Sequence, residues 1–484
     1  MYKRFLLAAL IVVLGSAATV STAALLEVKT AAEIFQREST PIAGINDALD
    51  NVDPGGPQTI LLLGSDQRFI DVKQKNPVRS DTIILVRLDP SKGATAVMSL
   101  PRDLKVDIPG HGTDKINAAY AIGGPRLTVK TVRQLFGMPI NHVVNVNFGG
   151  FRRAVNRLGC VYADVDRRYF NDNHPPFGGG PNYATIDVRA GYQKLCGQDA
   201  LDFVRYRHFD SDLVRAARQQ DFLRQAKEQL GVSKILGDRN ELLKIFARYT
   251  QTDIRGTSAI LRLLKLTAES AQHPVQEVHF PGTITGDFVT VTAEDLARIK
   301  ERFLNAKASR GPRGAATKRP GTTPRKTKAS RKRSSPGLPP GMQQAAQPGE
   351  DQAVRLATQL GFPVYYPKAL VTSSQYLPEH SRAYDIYDRG HHKYRAYRIV
   401  VKTRDVGQYY GIQGTTWAGP PILDNPSERR KVGGRMCELF FDGGRLRLIS
   451  WRSRGAVYWI SNTLLQTLSN KQMLALAGSV SKVD

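Results

Sequence analysis

Thr59-Ile60-Leu61-Leu62-Leu63-Gly64-Ser65-Asp66 decides the fold, because a continuous apolar run stops abruptly on a glycine, a serine and a carboxylate. A short unbroken run of this kind reads as a strand covered on both faces. Thr82 to Leu88, Ala94 to Leu100 and His142 to Val146 have the same character. Between and after them, helical periodicity predicts helices at Lys115 to Ala121, Pro125 to Phe136 and Phe148 to Leu158, then a long one from Asp212 to Leu230. Leu242 to Phe246, Ser258 to Ala268 and Ala293 to Leu304 complete a helical layer. Strands alternating with amphipathic helices predict an α/β domain over residues 58–305.

Upstream, Asp53-Pro54-Gly55-Gly56-Pro57 is a strong breaker that closes a polar stalk, residues 27–57. Before it, Phe5 to Leu26 is uncharged and mostly apolar, the length that crosses a bilayer as a helix. Lys3 and Arg4 before this run and Glu27 after it predict a single-pass anchor over residues 1–26, with a cytoplasmic N-terminus and an extracytoplasmic bulk. The alternative is a cleaved signal peptide, for which Ala17-Ala18 and Ser21 to Ala24 offer small residues. Both readings export the chain.

The formal charge of +26 invites a nucleic-acid partner until its location is examined. Eleven Lys and Arg, with no acid among them, fall between Lys307 and Arg333. That stretch belongs to residues 306–350, rich in Pro, Gly, Ser, Lys and Arg, whose apolar content is too low to fold. It is a basic linker, either a spacer or an attractor of anionic wall polymers and lipid head groups. It lies on the expected outer side without a helix-turn-helix context, so no nucleic acid is expected. Residues 351–484 regain aromatic and β-branched runs and a closing helix from Lys471, which predicts a smaller α+β domain. Its aromatics Tyr409, Tyr410 and Trp417 are either core residues or sugar-stacking platforms.

Three cysteines suit an oxidising compartment. Cys160 and Cys196 stand near glycines at what read as element ends, and they either pair or remain two buried thiols; Cys437 is left over. No Cys/His spacing forms a zinc site, and phosphate-loop, dinucleotide and nucleophile-elbow patterns are missing.

The remaining signal is a set of arginines and aspartates at element ends. Asp66 follows the first strand, where open α/β sheets bind ligands, although a turn aspartate is the ordinary alternative. Arg79-Ser80-Asp81 opens the next strand with Arg79 and Asp81 on one face. Ser99-Leu100-Pro101-Arg102-Asp103 delivers Arg102 at a third strand end. Arg205-Tyr206-Arg207, read as extended, puts two guanidinium groups on one face, and Asp212, Arg215, Arg218 and Gln219 open an amphipathic helix. Each charge alone is an unremarked surface group. Together they suit phosphoryl chemistry, because guanidinium forks bind phosphate oxygens bidentately while carboxylates hold a hard divalent cation.

These motifs, with Lys115-Ile116-Asn117-Ala118-Ala119-Tyr120, occur in an order that resembles the LytR-CpsA-Psr family of bacterial cell-wall phosphotransferases over about Thr59 to Leu304. The resemblance implies an α-β-α sandwich with a central mixed sheet, on a membrane anchor. Such enzymes take a glycopolymer from a polyprenyl-pyrophosphate-linked glycan donor and join it through a phosphodiester to a peptidoglycan acceptor. Carried over, Asp66 and Asp81 would organise Mg²⁺, or Mn²⁺ in its place. Arg79, Arg102, Arg205, Arg207 and Arg215 would clasp the pyrophosphate, with Lys115, Asp212 and Gln219 completing the pocket, and the lipid tail would enter an apolar tunnel. Leu213-Val214 stand where the family pattern has a glycine before the helix arginine, so the start of that helix is expected to differ.

Overall fold

The computed structural model describes residues 33, 37, 39–50, 56–65, 80–92, 94–174, 185–206, 210–229, 244–245, 247–255, 259, 266, 275–306, 338–405 and 407–484. The expected membrane span, Asp66, Arg79, Arg207 and most of the basic linker lie outside these residues, as does the side chain of Asp81. Among the described residues, no helix is long and apolar enough to cross a membrane.

The chain forms two compact units. One comprises residues 1–161, 196–201 and 230–307, and the other comprises 162–195, 202–229 and 308–484. In the first, a sheet of seven described strands runs in the order Thr40–Pro41, Thr250–Thr252, His142–Asn147, Gln58–Ser65, Ser80–Asp89, Ala94–Leu100, Val275–Glu277. It is mixed, as expected: Gln58–Ser65 is parallel to His142–Asn147 and antiparallel to Ser80–Asp89. Leu61, Leu63, Ile83, Leu85 and Met98 are almost wholly buried. Burying such side chains on the central strands is worth about 1.5–3 kcal/mol each, which is why the continuous apolar runs become the middle of the sheet.

Helix α1 (Ile116–Phe136) merges the two helices expected at Lys115 to Ala121 and Pro125 to Phe136. Gly123 and Gly124 leave helical geometry between them, Gly124 at φ +61°, so the backbone can admit Pro125 without a lost hydrogen bond at the break. Helix α2 (Phe148–Arg157) is capped by the Asn147 side chain, which accepts from Gly150 N at 2.9 Å. Helix α3 (Gly197–Arg205) follows, then α4 (Asp212–Gln229) and α5 (Ala293–Leu304). A disulfide joins Cys160, just beyond α2, to Cys196, just before α3, and Cys437 is a buried free thiol.

The second unit is built on an antiparallel sheet of eight described strands, from Gln375–Tyr376 through Lys393–Lys402, Tyr409–Thr415, Ala456–Ser461, Arg445–Ser453 and Arg435–Asp442 to Glu428–Val432, with Arg382–Tyr387 added beside Lys393–Lys402. Helices α6 (Ala346–Ala357) and α7 (Asn470–Gly478) belong to the same unit, and α7 opens on a capping box between Ser469 and Gln472. Its aromatics are mainly core: Tyr409 and Tyr410 are buried, and half-buried Trp417 lies parallel to Tyr394 at 5.7 Å.

Candidate functional site

The strand that opens the sequence argument ends in a β-bulge. Gly64 pairs with Thr82 and Ser65 with Ser80, so Asp81 is the extra residue on the opposite strand, beside the strand end that leads to Asp66. Gly64 is required there, since a Cβ would come within 2.8 Å of Thr82 Cβ. The buried Ser80 hydroxyl closes the bulge by lying 2.9 Å from the Thr82 carbonyl and 3.3 Å from that of Gly64. The backbones of Ser65, Ser80 and Asp81 are thus brought to one end of the central sheet.

The Ala94–Leu100 strand reaches the same region through a turn in which Leu104 N donates to Pro101 O at 3.1 Å. Asn117 N, in the first turn of α1, donates to Arg102 O at 3.2 Å, and Val289 N donates to Asp103 O at 2.8 Å, which pins the turn from both sides. Asp103 gathers two of the expected cations: Lys115 Nζ lies 3.4 Å from its Oδ1 and Arg102 Nε lies 3.6 Å from its Oδ2. Lys115 occupies the N-cap position of α1 in extended geometry, and its ammonium sits 5.7 Å from the Phe288 ring centroid. Two cations at the start of a helix, where backbone N–H groups also point outward, make an anion-favouring corner.

The other cations belong to the second unit. Arg205 is the last residue of α3 rather than part of an extended segment, a correction to the sequence reading. The helix continues because Asp202, one turn earlier, holds the guanidinium at 3.0 Å from Nε and 2.7 Å from Nη2, and a cation suits a helix C-terminus. Arg215 is likewise paired with Asp212 one turn away, both side chains almost buried. Gln219 Nε2 donates to Val204 O at 3.3 Å and so ties α4 to the end of α3. Helix α4 is not amphipathic as expected: Val214 through Gln220, Phe222, Arg224 and Gln225 are all buried. Its polar groups are tolerated inside because charged partners meet them.

Sequence reasoning missed the densest of these partnerships. The Asp210 side chain is fully buried and accepts from Arg167 Nη2 at 2.6 Å and from Arg218 Nη1. Arg218, also fully buried, donates through Nη2 to the Tyr206 carbonyl, and its guanidinium lies 4.6 Å from the Tyr169 ring centroid. Burial alone would lower the Arg167 and Arg218 pKa values, but the Asp210 charge outweighs it and raises both. Adjacent Asp166 is pushed up to about 6 by burial, against the opposing pull of Arg167 and a 2.5 Å hydrogen bond from the Tyr169 hydroxyl. The cluster holds the backbone on both sides of residues 207–209, between α3 and α4.

A family model described as the LytR_cpsA_psr family matches residues 21–304. The polyisoprenyl-teichoic acid–peptidoglycan teichoic acid transferase TagU of Oceanobacillus iheyensis is 32% identical over 256 residues, 50% of this chain and 74% of that one. The corresponding transferase TagT of Bacillus subtilis is 37% identical over 172 residues, 35% of this chain and 52% of that protein. A solved structure of TagT bound to LI-WTA aligns with TM-score 0.43 at 26% identity, covering 55% of this chain and 98% of that one.

Proposed function

The chain belongs to the LytR_cpsA_psr family, and on that premise we propose that it moves a glycopolymer from a polyprenyl pyrophosphate carrier onto a peptidoglycan hydroxyl. It is a transferase enzyme, as its named relatives are. The observation that carries the finer reading is the pairing of cations with aspartates at element ends: Arg102 and Lys115 on Asp103, Arg205 on Asp202, and Arg215 on Asp212. A carboxylate behind a guanidinium fixes its plane before a ligand arrives, so little ordering is left to be done in the transition state.

In the proposed reaction the acceptor hydroxyl oxygen forms a bond to the sugar-linked phosphorus. The bond from that phosphorus to the bridging oxygen breaks, and polyprenyl phosphate leaves with the electron pair while the hydroxyl proton passes to solvent or a carboxylate. Arg79, Arg102, Arg205, Arg207 and Arg215 neutralise charge on the phosphate oxygens, and Lys115 and Gln219 orient them. Asp66 and Asp81 offer the hard oxygen donors that suit Mg²⁺ or Mn²⁺, which when bound would add charge neutralisation at the same oxygens. Asp81 on the bulge beside the strand end that precedes Asp66 supports this pairing.

The compartment follows the chemistry. A lipid-linked donor and a wall acceptor call for an extracytoplasmic domain on an N-terminal anchor, and the Cys160–Cys196 disulfide supports an oxidising environment. The test is transfer from a synthetic polyprenyl-pyrophosphate glycan. Arg102→Ala or Arg215→Ala should each lower kcat/KM by about 10²–10³, the equivalent of about 2.7–4 kcal/mol of lost transition-state stabilisation. Unchanged turnover in both variants would remove the pocket assignment.

A further inference from the structure

Residues 162–195 and 202–229 lie within the stretch matched by the family model, yet they form one compact unit with residues 308–484. The shared core is specific. Tyr162 and Tyr192 pack with Ile386, Ala396, Ile422, Phe440, Leu448 and Trp459. Asp164 is buried against Arg398, 3.0 Å from Nη1, and also receives Trp459 Nε1 at 3.4 Å. Tyr162 donates its hydroxyl to Tyr387 O at 2.7 Å, and Arg382 Nε donates to Ala190 O at 2.7 Å. Gly191, at φ +112°, is held so closely that a Cβ there would meet the Tyr384 hydroxyl at 2.4 Å.

Two further contacts reach the arginine motifs themselves. The Arg167 guanidinium lies 5.1 Å from the Tyr409 ring centroid, and Arg167 is the residue that holds Asp210, which in turn holds Arg218. Val214, in the first turn of α4, faces Gly407: a Cβ on that glycine would come within 3.2 Å of the valine methyl. Val214 is half of the Leu213-Val214 pair that departs from the family pattern, so the departure has a structural counterpart in the turn that leads into the Tyr409–Thr415 strand.

We propose that the C-terminal sheet is a positioning scaffold for the transfer reaction, with Tyr409 and Arg398 as positioning residues. Tyr409 packs on Arg167, Arg167 fixes Asp210, and Asp210 fixes Arg218, whose Nη2 donates to the Tyr206 carbonyl. The sheet thereby sets the backbone on both sides of Arg207 and the start of the helix that bears Asp212 and Arg215. Neither residue touches substrate. This rests on the proposed function for its catalytic consequence, while the mechanical coupling is independent of it. The physical reason for such a device is that guanidinium groups act on a pyrophosphate only when their planes are aligned, and a displacement of about 1 Å can cost on the order of 10²-fold in rate.

The experiment uses the full chain with Tyr409→Ala, Tyr409→Phe and the double variant Asp164→Asn/Arg398→Gln. Hydrogen exchange of residues 202–206 and 210–229 is measured beside the kcat and KM of transfer from a polyprenyl-pyrophosphate glycan. Tyr409→Ala and the double variant should lose protection in that segment and lower kcat about tenfold or more with donor KM less affected. Tyr409→Phe, which keeps the ring over Arg167, should restore both. Wild-type protection in Tyr409→Ala and in the double variant would overturn the coupling, and lost protection with unchanged kcat would overturn the positioning role in transfer. If the wild-type chain shows no transfer, the proposed function falls, and the exchange data alone decide the coupling.

Discussion

Asp210→Asn changes one atom and removes the only negative charge in direct contact with both Arg167 and Arg218 among the described residues. All three side chains are within 5% of full burial, so water cannot replace the lost carboxylate. Removing one partner of a buried ion pair typically costs about 3–5 kcal/mol, because the remaining charge is left without compensation. Two guanidinium groups are stranded here, but Asp166 lies beside them. Its raised pKa owes part of its height to repulsion from Asp210, so in the variant Asp166 ionises more readily and recovers some of the loss. An expected destabilisation of about 3 kcal/mol follows, toward the lower end of that range. The three tryptophans, Trp417, Trp451 and Trp459, all lie in the second unit, so urea unfolding followed by tryptophan fluorescence reads this unit directly. The midpoint should fall with the slope unchanged. A loss below about 1 kcal/mol, the range of surface ion pairs, would refute the buried cluster as a structural keystone.

Three more expectations can be checked with the same protein. Burial raises the Asp166 carboxyl in the folded state to about 6, above its ordinary value of 3.8, so the native form binds the proton more tightly. Its contribution is therefore fully present below pH 4 and is lost as pH rises through about 6. Asp166→Asn should flatten that part of the stability profile, and a wild-type slope in the variant would count against it. The Cys160–Cys196 bridge closes a separation of 36 residues, for which loop-closure entropy gives about 4 kcal/mol. Reductant or Cys160→Ser/Cys196→Ser should lower the unfolding midpoint accordingly, and an unchanged midpoint would show that the loop is already constrained without the bond. Gly64→Val should disrupt the bulge against Thr82 and abolish transfer while Gly286→Ala, on an open turn, does not.

Much of the first unit was legible because buried strands write themselves as unbroken apolar runs. Gln58–Ser65, Ser80–Asp89, Ala94–Leu100 and His142–Asn147 all fall on the runs read from the sequence, and Ala293–Leu304 matches residue for residue. The position of Arg102 just past the end of Ala94–Leu100 followed from the same reading. Partners were legible only at short range. Asp202 and Asp212 stand one turn before Arg205 and Arg215, a spacing that could have named them. Asp210 and Arg167 are 43 residues apart, and Asp164 and Arg398 are 234 apart. No local periodicity links such pairs. The extended reading of Arg205-Tyr206-Arg207 failed for a related reason: alternation of charge suggested a strand, whereas the Asp202 contact and the buried Leu201 and Phe203 favour a helix end.

The central claim is that the arginine-lined site transfers a phosphoglycan rather than releasing it to water. The direct measurement is product analysis after incubating the full chain with a labelled polyprenyl-pyrophosphate glycan and peptidoglycan. Label joined through a phosphodiester to a peptidoglycan sugar, with polyprenyl phosphate released in equal amount, is the predicted result. Free phosphoglycan as the main product, with no label on the wall fraction, would contradict it.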